Sequence, residues 1–142
     1  RLDHLTMARG SDASGHVVGV DLHGSKIGGP VEGAILLLPD PMGATGSSMV
    51  SAMRHYLTAL EGRPRRLVAL HLVVTPEYLR RLTREVPEAS IYAWRLDRGL
   101  SPPEVLAEEP GRRWDDERGL NDHQYIVPGA GGVGEVLNNA WV

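Results

Sequence analysis

The sequence predicts an α/β fold built on a parallel sheet. Three observations predict it. Ala34-Ile35-Leu36-Leu37-Leu38 and Leu67-Val68-Ala69-Leu70-His71-Leu72-Val73-Val74 are continuous apolar runs of strand length, the pattern of strands buried on both faces. Segments with helical spacing follow each of them. The resulting order of strand, helix, strand, helix, strand is that of a parallel sheet with right-handed crossovers. At 142 residues the chain suits one domain, since single cores serve roughly 100–200 residues.

Taken in order, residues 1–33 read as irregular or ribbon-like, because Gly10, Gly15, Gly19, Gly24, Gly28, Gly29 and Gly33 interrupt every run. Within them His16 to Leu22 is a candidate strand. Residues 34–38, bounded by Gly33 and Pro39, form the first sheet strand. A Gly/Ser/Thr-rich turn leads to a helix in which Met49, Val50, Met53, Tyr56, Leu57 and Leu60 repeat at helical spacing, stopped by Gly62 and Pro64. After the second strand, Thr75 suits an N-cap, Pro76 the first helical position and Glu77 the helix dipole. Leu79, Leu82 and Val86 give that helix its inner face. Ser90 to Leu96 is the third strand. Residues 101–119 are rich in Pro, Glu and Arg and read as a long loop, Tyr125-Ile126-Val127 as a fourth short strand, and Val136 to Val142 as a helix turn. Asp97-Arg98-Gly99-Leu100 returns as Glu117-Arg118-Gly119-Leu120, which points to a surface insertion between the two copies.

Composition excludes several classes. A hydrophobic fraction of 42% with 23% charged residues is that of a globular chain, not a disordered tail. No run approaches the ~18 apolar residues of a membrane span, and no signal peptide opens the chain. The absence of cysteine excludes disulfides, thiolate metal sites and a cysteine nucleophile, and is compatible with a cytoplasmic protein. A net charge of -3 gives no electrostatic footprint for nucleic acid. Fourteen Arg against the single Lys26, with no Phe, reads as codon usage. The first residue is Arg1, which predicts a processed product or a piece of something longer.

The chemistry is concentrated in Asp40-Pro41-Met42-Gly43-Ala44-Thr45-Gly46-Ser47-Ser48, between a buried strand and a helix N-terminus. Ligands of open parallel sheets bind at the C-terminal ends of strands. The first helical turn offers unpaired N–H groups and a dipole that favours an anion. Small residues let a phosphate approach the backbone, and Thr45, Ser47 and Ser48 offer hydroxyls to its oxygens. Asp40, at the strand end, is placed to accept from sugar hydroxyls or to hold a hydrated divalent cation. The competing reading makes Thr45 or Ser47 a plain helix cap and Gly46 a tight turn. The order of a Walker loop, and its Lys, are absent.

Other signals are set aside. Gly129 to Gly134 matches G-x-G-x-x-G, but only eight residues follow, too few for a dinucleotide fold. The six His show no paired metal-ligand spacing, and Asp21 and His23 read as loop residues. No G-x-S-x-G elbow is present. Arg80, Arg81 and Arg84 read as a solvated helix face near a C-terminus. Trp94, Trp114 and Trp141 suit either core or interface, Trp114 being divided evenly between an interface and packing on its own domain.

The loop from Asp40 to Ser48 resembles the phosphoribosyl pyrophosphate (PRPP) motif of type I phosphoribosyltransferases, in the D-P-M-x-A-T-G-x-S form of the uracil phosphoribosyltransferase family. Pro41 stands where other type I enzymes have a second acid, and Gly43 and Ser47 replace the family's Leu and Gly. Leu120-Asn121-Asp122-His123-Gln124-Tyr125-Ile126-Val127-Pro128-Gly129 is similar to the same family's uracil-binding segment L-N-x-x-G-Y-I-V-P-G. Both motifs stand in the family's order, and the resemblance covers residues ~31–142.

The resemblance implies a Rossmann-like type I phosphoribosyltransferase core with a C-terminal hood over the base. It divides a single domain, 1–142, into a flap (1–33), a PRPP-binding core (34–100), an inserted loop (101–119) and the hood (120–142). It implies the reaction of uracil with PRPP to give UMP and pyrophosphate. Asp40, Pro41, Met42, Gly43, Ala44, Thr45, Gly46, Ser47 and Ser48 would then bind PRPP, with Arg9 matching the Arg of the family's flap and Lys26 a Lys before the PRPP strand. Tyr125, Ile126, Gly131, Gly132 and Val133 would hold uracil, mostly by backbone groups. Mg2+ would come with PRPP, with no direct protein ligand and Asp40 reaching it through water. No general base is visible. A homodimer or larger homo-oligomer is implied as well. Gly132 replaces an Asp that engages PRPP, Glu135-Val136 replace Asp-Arg, and the family's N-terminal portion, with its pyrophosphate loop, is not in the sequence. The alternative these departures imply is a non-catalytic or altered-specificity relative that binds PRPP or a nucleotide as a sensor or regulatory protein.

Overall fold

The computed structural model describes residues 1–11 and 17–126. It opens with an antiparallel hairpin of β1 (His4–Ser11) and β2 (Val17–Lys26), starting at the pair His4 and Lys26. Of the two readings of residues 1–33, irregular or ribbon-like, the ribbon is the one observed. Its register slips twice, leaving His23 and Val18 as extra residues, which is how a Gly-interrupted ribbon without strict alternation can still pair. Asp3 ties the hairpin's base to the rest. It accepts from Arg1 Nε at 2.9 Å, from the Gly28 N–H at 3.2 Å and from the Tyr56 hydroxyl at 3.2 Å. Burial opposes ionisation of Asp3, but these three donors outweigh it and hold the carboxyl below its ordinary pKa.

The sheet follows: β3 (Ile35–Pro39), β4 (Met42–Gly43), β5 (Arg66–Val74) and β6 (Ser90–Leu96), all parallel to β5. β5 is the hub. β3 pairs with its first half and β4 with its last two residues, while β6 pairs along Val68 to Val74, so β3 and β4 share the edge opposite β6. In effect β3 and β4 are one strand interrupted at Asp40-Pro41. The Asp40 N–H donates to the Leu70 carbonyl, and the Pro41 carbonyl accepts from both Leu72 and Val73. Thus two residues expected in the loop, Met42 and Gly43, belong to the sheet.

Helices α1 (Ser47–Thr58) and α2 (Pro76–Glu85) supply the crossovers and bury one face of the sheet. Met49, Val50, Met53, Leu67, Ala69, Val74, Tyr78, Leu82 and Val86 form the core. Fully buried side chains such as Met53 and Leu82 each contribute about 1.5–3 kcal/mol of burial free energy. After α1 the chain turns at Gly62, whose φ of +86° and close approach to the Glu32 backbone admit no side chain.

The expectation of strands buried on both faces is corrected. Ile35, Leu37, Leu70, Leu72, Tyr92 and Trp94 are exposed, Trp94 at 90%. An apolar run has the same letters whether one or both of its faces are covered.

Residues 97–119 are no open loop. A short helix, α3 (Pro103–Leu106), lies within them. Arg98 reaches the carbonyls of Val105 and Glu108 and the carboxylate of the wholly buried Glu117, at 3.2 Å to the last. The two tetrapeptide copies lie side by side, with Gly99 bridged to Arg118 and the Leu100 N–H donating to the Arg118 carbonyl. Trp114 is half-buried on its own domain, under the guanidinium of Arg80 at 5.5 Å, as the packing reading expects. In place of a fourth strand there is one isolated bridge, Leu120 to Ile126; Val127 lies outside the described residues.

Candidate functional site

Residues 40–48 sit where β3 and β4 end and α1 begins. Asp40 Oδ1 accepts from the Met42 N–H at 3.1 Å, which fixes the carboxylate at the strand interruption. Gly43 lies flush against the second helix. A Cβ there would stand 2.9 Å from Val74 Cγ1 and 3.0 Å from the Tyr78 ring. Gly46 is the N-cap of α1, at φ +80°, a conformation that favours glycine. Beneath it lie Tyr78 and Arg81.

The N-terminus of α1 is left open. No side chain caps it and no acid stands in its first turn. Thr45 Oγ1 lies 3.1 Å from Ser47 Oγ, and the Ser47 N–H reaches Thr45 Oγ1 only at 3.4 Å. The start of α2 is closed by contrast: Thr75 Oγ1 accepts from the Tyr78 N–H at 3.0 Å, with Pro76 in the first turn and Glu77 beside it. Thr45 thus takes one first-turn N–H weakly and Gly46 makes the tight turn, while no N-cap side chain closes the helix, so this end of α1 keeps N–H groups and hydroxyls that can meet an anion.

The loop rests on a buried polar pair. His71 Nδ1 lies 2.5 Å from the Asp40 carbonyl and its Nε2 lies 2.6 Å from the Tyr78 hydroxyl. A carbonyl only accepts, so Nδ1 carries a hydrogen. In the neutral imidazole that burial favours, Nε2 then accepts from the Tyr78 hydroxyl. Burial lowers the His71 pKa, outweighing the pull of Asp40, and raises the Tyr78 phenol far above its ordinary value. Neither residue was singled out by the sequence. The signal was available: one imidazole inside an otherwise apolar strand needs a polar partner.

All nine loop residues expected to bind PRPP, from Asp40 to Ser48, come together. Of the hood residues, Ile126 is buried and Tyr125 half-buried, both in a turn held by Asn121 Oδ1, which accepts from the His123 and Tyr125 N–H groups. The start of the hood, Leu120 to Gln124, shares a cleft of about 530 Å³ with Thr45 and α2. Gly131, Gly132 and Val133 lie outside the described residues, as do Glu135, Val136 and Trp141. Only the backbone of Arg9 is described, in β1 opposite Val20. Lys26 ends β2 and is exposed.

The solvated-face reading of the three arginines holds only for Arg84. Arg80 donates to the carbonyls of Trp114 (2.6 Å) and Glu117 (3.1 Å), and Arg81 donates to Ser47 Oγ at 2.5 Å. Helical spacing gives a residue's direction but not what another segment brings against it. Among the described residues no three His, Asp or Glu side chains gather to hold a metal, and no helix is long and apolar enough to cross a membrane.

Comparison with known proteins agrees with this geometry. The family model described as uracil phosphoribosyltransferase matches residues 20–110. A uracil phosphoribosyltransferase of Thermococcus sibiricus is 31% identical over 100 residues, covering 70% of this chain and 34% of that protein. One of Pyrobaculum islandicum is 31% identical over 121 residues, covering 85% of this chain and 47% of its own length. A solved protein structure from Aquifex aeolicus superimposes with a TM-score of 0.68 at 26% identity, over 94% of this chain and 50% of that one. The chain thus spans about a third to a half of the length of the proteins it matches.

Proposed function

Because the chain belongs to the uracil phosphoribosyltransferase family, we propose that it takes part in phosphoribosyl transfer from PRPP to uracil, giving UMP and pyrophosphate. The single observation that carries this reading is the uncapped N-terminus of α1, opened by Gly46 at the end of a parallel strand, with Asp40 beside it. The 5-phosphate of the ribose lies on the N–H groups of Ala44 to Ser48 and on the hydroxyls of Thr45, Ser47 and Ser48. Asp40 has Oδ1 committed to Met42, and its other oxygen is directed to a ribose hydroxyl.

Uracil N1 forms the new bond to ribose C1′ as the bond from C1′ to the pyrophosphate oxygen breaks. The bonding pair leaves with pyrophosphate, and the N1 proton is lost to solvent. The ribose passes through an oxocarbenium-like state, so the chain's contribution is positioning of the phosphate and sugar rather than proton transfer. Mg2+ bound with PRPP would supply neutralisation of the charge on the leaving pyrophosphate. The loop's one carboxylate, Asp40, fits a cation held by substrate oxygens and water rather than by direct protein ligands. Uracil would lie toward the start of the hood, Leu120 to Gln124, which shares the cleft with Thr45.

The test is incubation with uracil, PRPP and Mg2+ and assay of UMP and pyrophosphate. UMP formation that is lost in Asp40→Asn or Gly46→Val supports transfer at this loop. Binding of UMP without turnover replaces transfer by a binding role, and no binding of either PRPP or UMP removes both.

A further inference from the structure

Arg81 lies against the phosphate loop, although it belongs to the other crossover helix. Its Cδ and Cβ pass 3.4 Å and 3.5 Å from where a side chain on Gly46 would begin. Its Nη1 donates to Ser47 Oγ, on the first residue of α1. Its Nε donates to Glu85 Oε1 at 3.1 Å, which fixes the plane of the guanidinium. These bonds engage two of its five N–H donors. Glu85 does not cancel the local charge, because it is shared with Arg54 at 3.1 Å and Arg84 at 3.7 Å. Shared among three arginines, Glu85 leaves Arg81 without a carboxylate of its own.

We propose that Arg81 is a phosphate-binding residue of the loop: its guanidinium contributes charge and a hydrogen bond to a phosphomonoester dianion seated on Ala44 to Ser48. The contact runs directly from the remaining Nη hydrogens or through Ser47 Oγ, which lies between Arg81 and Thr45 Oγ1. The inference rests on the reading of this loop as a phosphate site. It goes beyond that reading by assigning a cation from α2 to a pocket that otherwise offers only backbone groups and hydroxyls. A role as a plain C-terminal dipole partner suits Arg84, in the last turn, and leaves the Ser47 contact unexplained.

Binding of UMP and of uridine to the 142-residue chain is measured by calorimetry for the parent protein, Arg81→Ala, Arg81→Gln and Arg84→Ala, with a thermal melt for each. Arg81→Gln keeps a neutral donor toward Ser47, so it separates charge from tethering. The expected result is about a tenfold to hundredfold loss of UMP affinity in both Arg81 variants, with uridine affinity and melting unchanged and Arg84→Ala near parent. UMP affinity at the parent level in Arg81→Gln would make Arg81 a tether and overturn the proposal. Equal binding of UMP and uridine by the parent would remove the phosphate site itself. A parent that prefers UMP, with unaltered Arg81→Ala, removes only the role of Arg81.

Discussion

The hydroxyl of Tyr78 and Nε2 of His71 meet at 2.6 Å beneath the loop, and the other ring nitrogen of His71 holds the Asp40 carbonyl. Two elements, β5 and α2, are thereby fixed to the residue that begins the site. The pair is edge-on, with ring centroids 4.7 Å apart. Removing the hydroxyl in Tyr78→Phe leaves a buried imidazole acceptor unpaired. Stability is expected to fall by about 1–3 kcal/mol, read from denaturant midpoints.

The same pair sets a pH dependence. Burial holds the His71 pKa below its ordinary 6.5 in the folded chain, so between the two values the unfolded chain binds more protons. The stabilisation is complete above 6.5 and is lost as pH falls through the folded-state pKa. Unfolding of the parent and of His71→Gln, compared from about pH 8 to pH 5, should show the parent losing stability relative to the variant on the acid side. A pH-independent difference between the two would mean that His71 is not held neutral.

Gly46→Val should abolish phosphate binding. At φ +80° a β-branched residue costs about 1–3 kcal/mol of backbone strain, and its Cβ would already be in contact with Tyr78 and Arg81. Gly33→Val is the control, since its φ is +65° but open space surrounds it away from the loop. Both variants should melt earlier than the parent, and only Gly46→Val should lose UMP in calorimetry. Phosphate binding retained in Gly46→Val would remove the loop as the site.

These cases separate what the sequence carries from what it does not. The loop, both crossover helices and the strands were legible because their signals are local: apolar period, Pro76 after a capping Thr75, small residues after a strand. The extent of the sheet's cover was not, since Leu37 and Leu72 read as buried and stand exposed. Arg81 was misread and His71 passed over for one reason: each is given its meaning by a residue 31 or more positions away, Asp40 for His71 and Ser47 for Arg81. The hairpin pairs through two register slips that leave no alternating pattern to read.

Arg98→Ala should be among the most damaging single substitutions. It strips Glu117, which is 0% exposed, of its cation and leaves only the Gly111 N–H on Oε1. An uncompensated buried charge of this kind costs about 3–5 kcal/mol. The segment 101–116 should also become open to proteolysis, because Arg98 is what gathers the carbonyls of Val105, Leu106 and Glu108. Limited digestion followed by mass spectrometry would locate the cuts, and an unaltered digestion pattern would contradict the role given to Arg98.

Deleting the whole excursion should cost less than that one substitution. Excision of residues 98–117 joins Asp97 to Arg118 and restores a single Asp-Arg-Gly-Leu before Asn121. The ends are already adjacent: Gly119 packs directly on the Asp97 carbonyl, so closely that a side chain there would clash. The contacts that matter outside the excursion remain, namely the Gly119 N–H on the Glu77 carboxylate at 3.1 Å and the bridge from Leu120 to Ile126. Glu117 leaves together with Arg98, so that pair leaves no buried charge behind, and losing both partners of a pair is far milder than losing one; the cost that remains is the Gly99 N–H lost from Oδ1 of the buried Asp97. Arg80 loses the Trp114 and Glu117 carbonyls but comes to face water and keeps Glu77 at 4.0 Å. The shortened chain should therefore melt cooperatively, above Arg98→Ala. A shortened chain that fails to fold would mean that residues 98–117 are part of the core and not an insertion upon it.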